Sequence, residues 1–514
     1  MQISNRFKKP PGYVIASILC SFGGFLFGHD TGIIGPVTVM DDFAKYVGNP
    51  SPTVHGLIVS SILIPAAISS FFAGKLADRL GRTHGIAIGA SIFALGAAIE
   101  AASVHIGMFV AGRVVAGVGE GLYLGTLVVY ICEISPTRHR GALTTGPQLL
   151  ITIGLVVGFF TCYGTTSMDS SFSWRLPFML LAVYSFLFSG LTLFYLPPSP
   201  RWLTLKGRSE EVPAAWQKLD VPAVDQEKML EQLDDSAALF EPANPGVALE
   251  NLQRNITNVS RRSQRKAQIQ DVFSSDSRPR LFLALFLMGM QQLSGIDGVL
   301  YYAPILFQQA GLASNEAKFL ASGVSALVIF AVSVPATMWA DKWGRRTNTI
   351  FGGLGMATVM FLMGSLYAGN AVHASTGAGR WVVIVSIYLF AAIFSVSWAV
   401  GIKIYSAEIQ PQRTRATATS MAHGSNWICN FLVALVTPTL LAKTGYGAYF
   451  LFGGCTFLTA LMCLLYMPET RGKSLNEIEQ AFRQRQHKSR GVGGFKGIVT
   501  LLRSKMLHGG APAV

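Results

Sequence analysis

GKLADRLGRT runs from Gly74 to Thr83, and TMWADKWGRRT from Thr337 to Thr347. Each is a short charged stretch wedged between long apolar runs, and the second follows about half a chain after the first. Two more motifs recur in the same order. YICEISPTRHRGA (Tyr130 to Ala142) is echoed by IYSAEIQPQRTRATA (Ile404 to Ala418), and PPSPRWL (Pro197 to Leu203) more loosely by MPETRGKSL (Met467 to Leu475). Three elements repeating at nearly one offset mark a chain made of two fused structural halves.

The runs between the motifs decide what kind of halves these are. Apolar residues make up 51% of the 514 residues and charged residues 13%, with a mean hydropathy of +0.42; soluble domains carry about 25% charged residues. Windows long enough to cross a bilayer recur twelve times, from Tyr13–Pro36 to Tyr449–Met467, six per half. All are dense in Gly, Ala and Ser, which lets helices approach closely in lipid. The expected architecture is an all-α integral membrane fold: a six-helix half over residues 1–200, a cytoplasmic linker with short amphipathic helices over 201–280, a second six-helix half over 281–468, and a basic tail over 469–514.

The net charge of +14 is distributed by loop. Lys and Arg cluster near the N-terminus, after the second, fourth, sixth, eighth and tenth apolar runs, and beyond Met467. The alternate loops hold little beyond Lys45, Arg175, Lys318, Arg380 and Lys443. The positive-inside rule then places both termini in the cytoplasm, and the partner is a lipid bilayer rather than nucleic acid. The tail basics (Arg483 to Lys505) either meet anionic lipid or form a solvated disordered arm. The six cysteines lack metal-like clustering and read as packing residues. Sequons at Asn255 and Asn258 fall on the cytoplasmic side and read as chance matches.

Charges inside the apolar runs are costly and therefore mark candidate sites. Asp30, in GGFLFGHDTGII, and Arg113, in GRVVAGVGEGL, form a candidate proton switch or else a static ion pair. His29 reads as a packed histidine. Glu120, two turns after Arg113, either extends the charge network or serves a neighbouring helix. QQLSGIDGVLYYAP brings Gln291, Gln292 and Asp297 together around Gly295 and Gly298. With Gln148 in the fifth run, this donor and acceptor surface suits a polyhydroxylated ligand. Lys403, in the tenth run, either snorkels to the cytoplasm or faces the cavity and meets an anion or Asp297. The repeated loops pair acids with arginines: Asp78 with Arg79 and Arg82, Glu133 with Arg140, Asp341 with Arg345 and Arg346, Glu408 with Arg413 and Arg415. Such charges either latch the two halves on one membrane face or only orient the chain. There is no metal cluster, nucleophile-base pair or phosphate loop in the sequence pattern, so an enzyme is not expected.

These motifs together resemble the sugar porter family of the major facilitator superfamily along nearly the whole chain. GKLADRLGR, GRVVAGVGEG, YICEISPTRHRG, PPSPRWL, QQLSGIDGVLYY, ADKWGRR, SAEIQPQRTRA, SNWICN and PETRG carry the resemblance. It implies twelve helices, alternating access and a sugar site between the halves. GFLFGHDTG looks like the fungal and plant proton-coupled members, so the resemblance assigns proton coupling to Asp30 with Arg113 and sugar contacts to Gln148, Gln291, Gln292, Trp427 and Asn430. Several positions depart from the pattern. His29 replaces a usual tyrosine, Asp297 and Ile329 replace asparagines, and Val400 and Lys403 replace the proline and tryptophan of helix ten. Lysine offers no apolar face to a sugar ring, which opens the substrate range to carboxylated sugars.

The expected function is a plasma-membrane importer of a hexose, pentose or uronic acid, working as a monomer by proton symport with no cofactor beyond the coupling proton. A non-transporting sugar sensor and an exporter of a small polar metabolite are the alternatives, since fold alone does not separate them.

Overall fold

A computed structural model of the chain describes residues 10–47, 50–227, 229, 272–274, 277–312, 314–339, 344–373, 377–411, 414–471, 477 and 482. Asp341, Arg413, Asn255, Asn258, most of the 201–280 segment and nearly all of the tail lie outside the described residues. Among the described residues, twelve helices are long and apolar enough to cross a membrane: α1 Gly12–Thr38, α2 Pro52–Leu80, α3 Arg82–Ala101, α4 Ile106–Ile134, α5 Arg138–Thr165, α6 Phe172–Phe194, α7 Arg278–Tyr301, α8 Ala317–Met338, α9 Arg345–Ala368, α10 Gly379–Glu408, α11 Thr417–Thr444 and α12 Gly447–Tyr466. A helix satisfies its backbone hydrogen bonds within one segment, as a lipid-exposed span must. Their outer faces expose large apolar side chains such as Phe186, Leu187 and Phe194, the last 91% exposed. A contiguous surface of this kind suits hydrocarbon rather than water.

Helix packing repeats between the halves. In the first, α1 packs on α5, and α3 packs on α4 and α6; in the second, α7 packs on α11, and α9 on α10 and α12. The halves meet through α5 against α8 and α2 against α11, two contacts that exchange under the same repeat. This is the pseudo-two-fold arrangement that the duplicated motifs predict.

The third motif of each half closes back on the first. In the N-terminal half the Trp202 indole donates to the Asp78 carbonyl (3.0 Å), and Tyr130 Oη donates to the Pro197 carbonyl (2.8 Å). In the C-terminal half Glu469 accepts from the backbone N–H of Arg346 (3.1 Å), while Thr470 Oγ1 donates to Glu408 (2.8 Å). The loosely matched pair PPSPRWL and MPETRGKSL therefore does one job, tying the chain's exit from each half to its charged loop. Beyond Leu203 the described segment forms short helices, including Val212–Leu219, whose Trp216 and Leu219 are buried against the base of α1.

Away from the basic loops the halves press together closely. Gly35 of α1 faces the Tyr301 carbonyl so tightly that a Cβ there would collide with it. Thr53 and Thr439 hydroxyls meet at 3.3 Å, and the His55 ring stands edge-on to Tyr302 at 5.3 Å. α7 is broken where it meets α1. α7 consists of Arg278–Leu293 and Ile296–Tyr301, joined by Gly295 at φ 87°, a backbone state that glycine adopts without strain. The break lies in the middle of the polar run Gln291 to Asp297.

Candidate functional site

The first site is a buried charge cluster inside the N-terminal half. Asp30 on α1 and Arg113 on α4 are 4% and 1% exposed. Arg113 Nη1 donates to both carboxylate oxygens of Asp30, at 2.7 and 3.0 Å, and Nη2 donates to the Val59 carbonyl of α2 at 3.2 Å. One guanidinium thus ties together three helices. A second carboxylate was not anticipated from the sequence: Glu100, near the end of α3, is fully buried with Oε2 3.8 Å from Arg113 Nη1. Its Cγ lies against Gly112 so closely that a side chain at 112 would displace it. Glu120 is also buried, with neither carboxyl oxygen hydrogen-bonded. Three acids and one cation therefore share this buried region. His29 is packed, as the sequence suggests, against Phe25 and Tyr184 at 5.8 and 5.7 Å, but neither ring nitrogen has a hydrogen-bond partner.

The second site lies between the halves. Gln291 donates to the Trp398 carbonyl of α10 at 2.7 Å and accepts from Asn426 Nδ2 of α11 at 3.2 Å. Gln292 donates to Asn426 Oδ1 at 3.2 Å. Asn426, one residue before Trp427, thus holds both glutamines of α7; within SNWICN the family resemblance points only to Trp427 and Asn430. Trp427 presents its ring edge-on to Phe27 of α1 at 6.3 Å, across the two halves. The acceptor oxygens of Gln292 (Oε1) and Asn430 (Oδ1) are buried without partners, and Asn430 also contacts the Tyr301 side chain. Lys403 settles the choice left open by its sequence. Its ammonium does not snorkel but donates to Gln148 Oε1 on α5 of the other half, at 3.3 Å. Asp297 lies close enough to Gln292 and Lys403 to interact with both, with no ion-pair contact to Lys403. Ile329 is buried in the apolar core of the C-terminal half.

In the charged loops Asp78 meets Arg82 as expected, but the glutamates find other partners among the described residues. Glu133 pairs with Arg82, not Arg140: Arg82 Nε and Nη2 bind its carboxylate at 2.9 to 3.2 Å, and Nη1 binds Asp78 at 2.7 Å. In the second half Glu408 pairs with Arg345 at 3.4 Å, while Arg415 donates to the Gln410 carbonyl at 3.2 Å. The reason is helix packing. α3 lies on α4 and α9 on α10, so the arginine that begins one helix reaches the glutamate ending the next. In this conformation both pairs clamp helices within one half instead of latching one half to the other.

Twelve helices in two matched halves, with polar groups collected between them, define a membrane protein of the major facilitator fold. The family is also plain: residues 16–482 match the model for the family described as Sugar (and other) transporter, and the chain belongs to it. A High-affinity glucose transporter of Kluyveromyces lactis is 28% identical over 486 residues, covering 91% of this chain and 84% of that one. The High-affinity hexose transporter HXT6 of Saccharomyces cerevisiae is 30% identical, with 92% and 82% covered. Among solved structures, the proton:xylose symporter XylE bound to 6-bromo-6-deoxy-D-glucose superposes with a TM-score of 0.69 at 25% identity, covering 91% of this chain and 99% of that one. The protein is thus a multi-pass membrane sugar transporter and not an enzyme.

Proposed function

We propose that the protein imports a sugar or sugar derivative by proton symport, with one chain as the working unit. The observation that carries this reading is the Asp30–Arg113 pair, a buried carboxylate held by a cation that also binds α2. Protonating Asp30 removes the charge that holds Arg113 and loosens α1 from α4 and α2. Deprotonating it restores the clamp. α1 packs on α5 and touches the Ile296–Tyr301 segment of α7, so this change reaches the helix of Gln148 and the segment of Asp297. The likeness to a proton:xylose symporter supports the coupling ion, and the hexose-transporting relatives support the ligand class.

If the basic loops face the cytoplasm, the close contacts at Gly35 and Thr53 seal the outer side, and the conformation is inward-facing. Alternating access then requires the Gly35–Tyr301 contact to open while the charged loops approach each other. Import across the plasma membrane follows if the coupling proton enters down its gradient. The test is accumulation: in cells lacking other sugar carriers, Asp30→Asn abolishes uptake against a gradient at matched expression. Accumulation retained by that variant refutes the proton role.

A further inference from the structure

We infer that the ligand site between the halves takes a monocarboxylated sugar, with Lys403 as the carboxylate's partner; this deepens the transport reading above and rests on it. The inference stands on where Lys403 ends. Its ammonium has three donors, and the hydrogen bond recorded for it goes to the neutral Gln148 Oε1, at 3.3 Å. Among the described residues no carboxylate lies within ion-pair distance of it, although Asp297 and His423 are close enough to interact electrostatically. A cation held at membrane depth by a single neutral acceptor calls for an anion. Lys403 and Gln148 join α10 to α5, and the orphan acceptors Gln292 Oε1 and Asn430 Oδ1 belong to α7 and α11, so both halves offer polar groups to a ligand.

The chemistry of the lining divides by region. Lys403 with Gln148 offers donors to a carboxylate, whereas Asp297, Gln292 Oε1 and Asn430 Oδ1 accept from hydroxyls. A sugar acid presents both kinds of group on one small molecule: one end carries a single negative charge and the remainder is hydroxylated. Asp297 disfavours a phosphorylated sugar, whose second negative charge would be placed beside that carboxylate. A neutral hexose satisfies the acceptors but leaves the ammonium on Gln148 alone. Bridging the halves also gives the carboxylate a direct part in closure, since the group it engages already spans them.

Exchange transport in proteoliposomes, with no proton gradient imposed, tests this apart from proton coupling. The measured quantity is the ratio of labelled hexuronate exchange to labelled hexose exchange, with an aldonate as second acid; as a ratio within one preparation, it does not depend on how much variant folds. The wild type is expected to favour the acids by about tenfold or more, the difference between a charge-assisted and a neutral hydrogen bond. Lys403→Gln should lower the ratio by about tenfold or more, and Lys403→Arg should keep the preference for acids. Robust hexose exchange without acid exchange, or a ratio unmoved by Lys403→Gln, overturns the inference while leaving sugar transport intact. Exchange of neither class overturns both.

Discussion

Replacing Asp30 by asparagine should cost less than stranding a buried arginine normally does, because Glu100 remains. Removing one partner of a buried ion pair commonly destabilises by about 3–5 kcal/mol, most of it from the charge left behind. Arg113 has two carboxylates at hand, Asp30 at 2.7 Å and Glu100 at 3.8 Å. Glu100 thus offers Arg113 a second carboxyl group within reach once Asp30 no longer carries a charge. Asp30→Asn, which keeps a hydrogen-bond acceptor at the site, is therefore expected to cost about 1–2 kcal/mol. Glu100→Gln should cost a similar amount, and the double variant about 2 kcal/mol more than the sum of the two, because only there is Arg113 left without a carboxylate in contact. Thermal unfolding of the purified protein in detergent, followed by loss of the monodisperse peak, reads all three on one scale. Additive losses, or an Asp30→Asn variant as unstable as the double, would refute a shared role for the two acids.

The clamp in the first charged loop should carry measurable stability. Arg82→Ala removes a buried bidentate pair, with side chains 8% and 6% exposed, and should cost about 3 kcal/mol in the same unfolding assay. A loss below about 1 kcal/mol would show that this pair does not hold α3 to α4. Gly35→Leu should prevent closure against Tyr301 and reduce uptake by about tenfold or more, while making a cysteine placed at Thr53 more reactive to an impermeant thiol reagent. Unchanged uptake would mean that the contact at Gly35 does not form during transport.

The fold was readable in the sequence because lipid leaves few solutions. The twelve apolar windows and the twelve helices agree in number and order, and the repeated loops sit at equivalent places. The charged pairs were readable only where the alternatives were few. Asp30 and Arg113 are conspicuous because charges are rare at that depth. Glu100 sits close to the polar end of its apolar run, where one acid reads as a tolerated helix-end charge, and only the packing of α3 on α4 brings it to Arg113. Glu133 was matched with Arg140 because the two share a motif, but a motif is a neighbourhood along the chain and α3 is the neighbour in space. Lys403 illustrates a different limit: its position one to two turns inside α10 is compatible with snorkelling or with facing inward, and only Gln148 on the other half decides between them.

Proton coupling is tested most directly by the steady-state ratio of internal to external label for a non-metabolised substrate in carrier-null cells, measured at acidic external pH with and without a protonophore. The account predicts a ratio well above one for the wild type, collapse towards one with the protonophore, and a ratio near one for Asp30→Asn at equal expression. A wild-type ratio that stays near one, or an Asp30→Asn ratio that stays high, would contradict it.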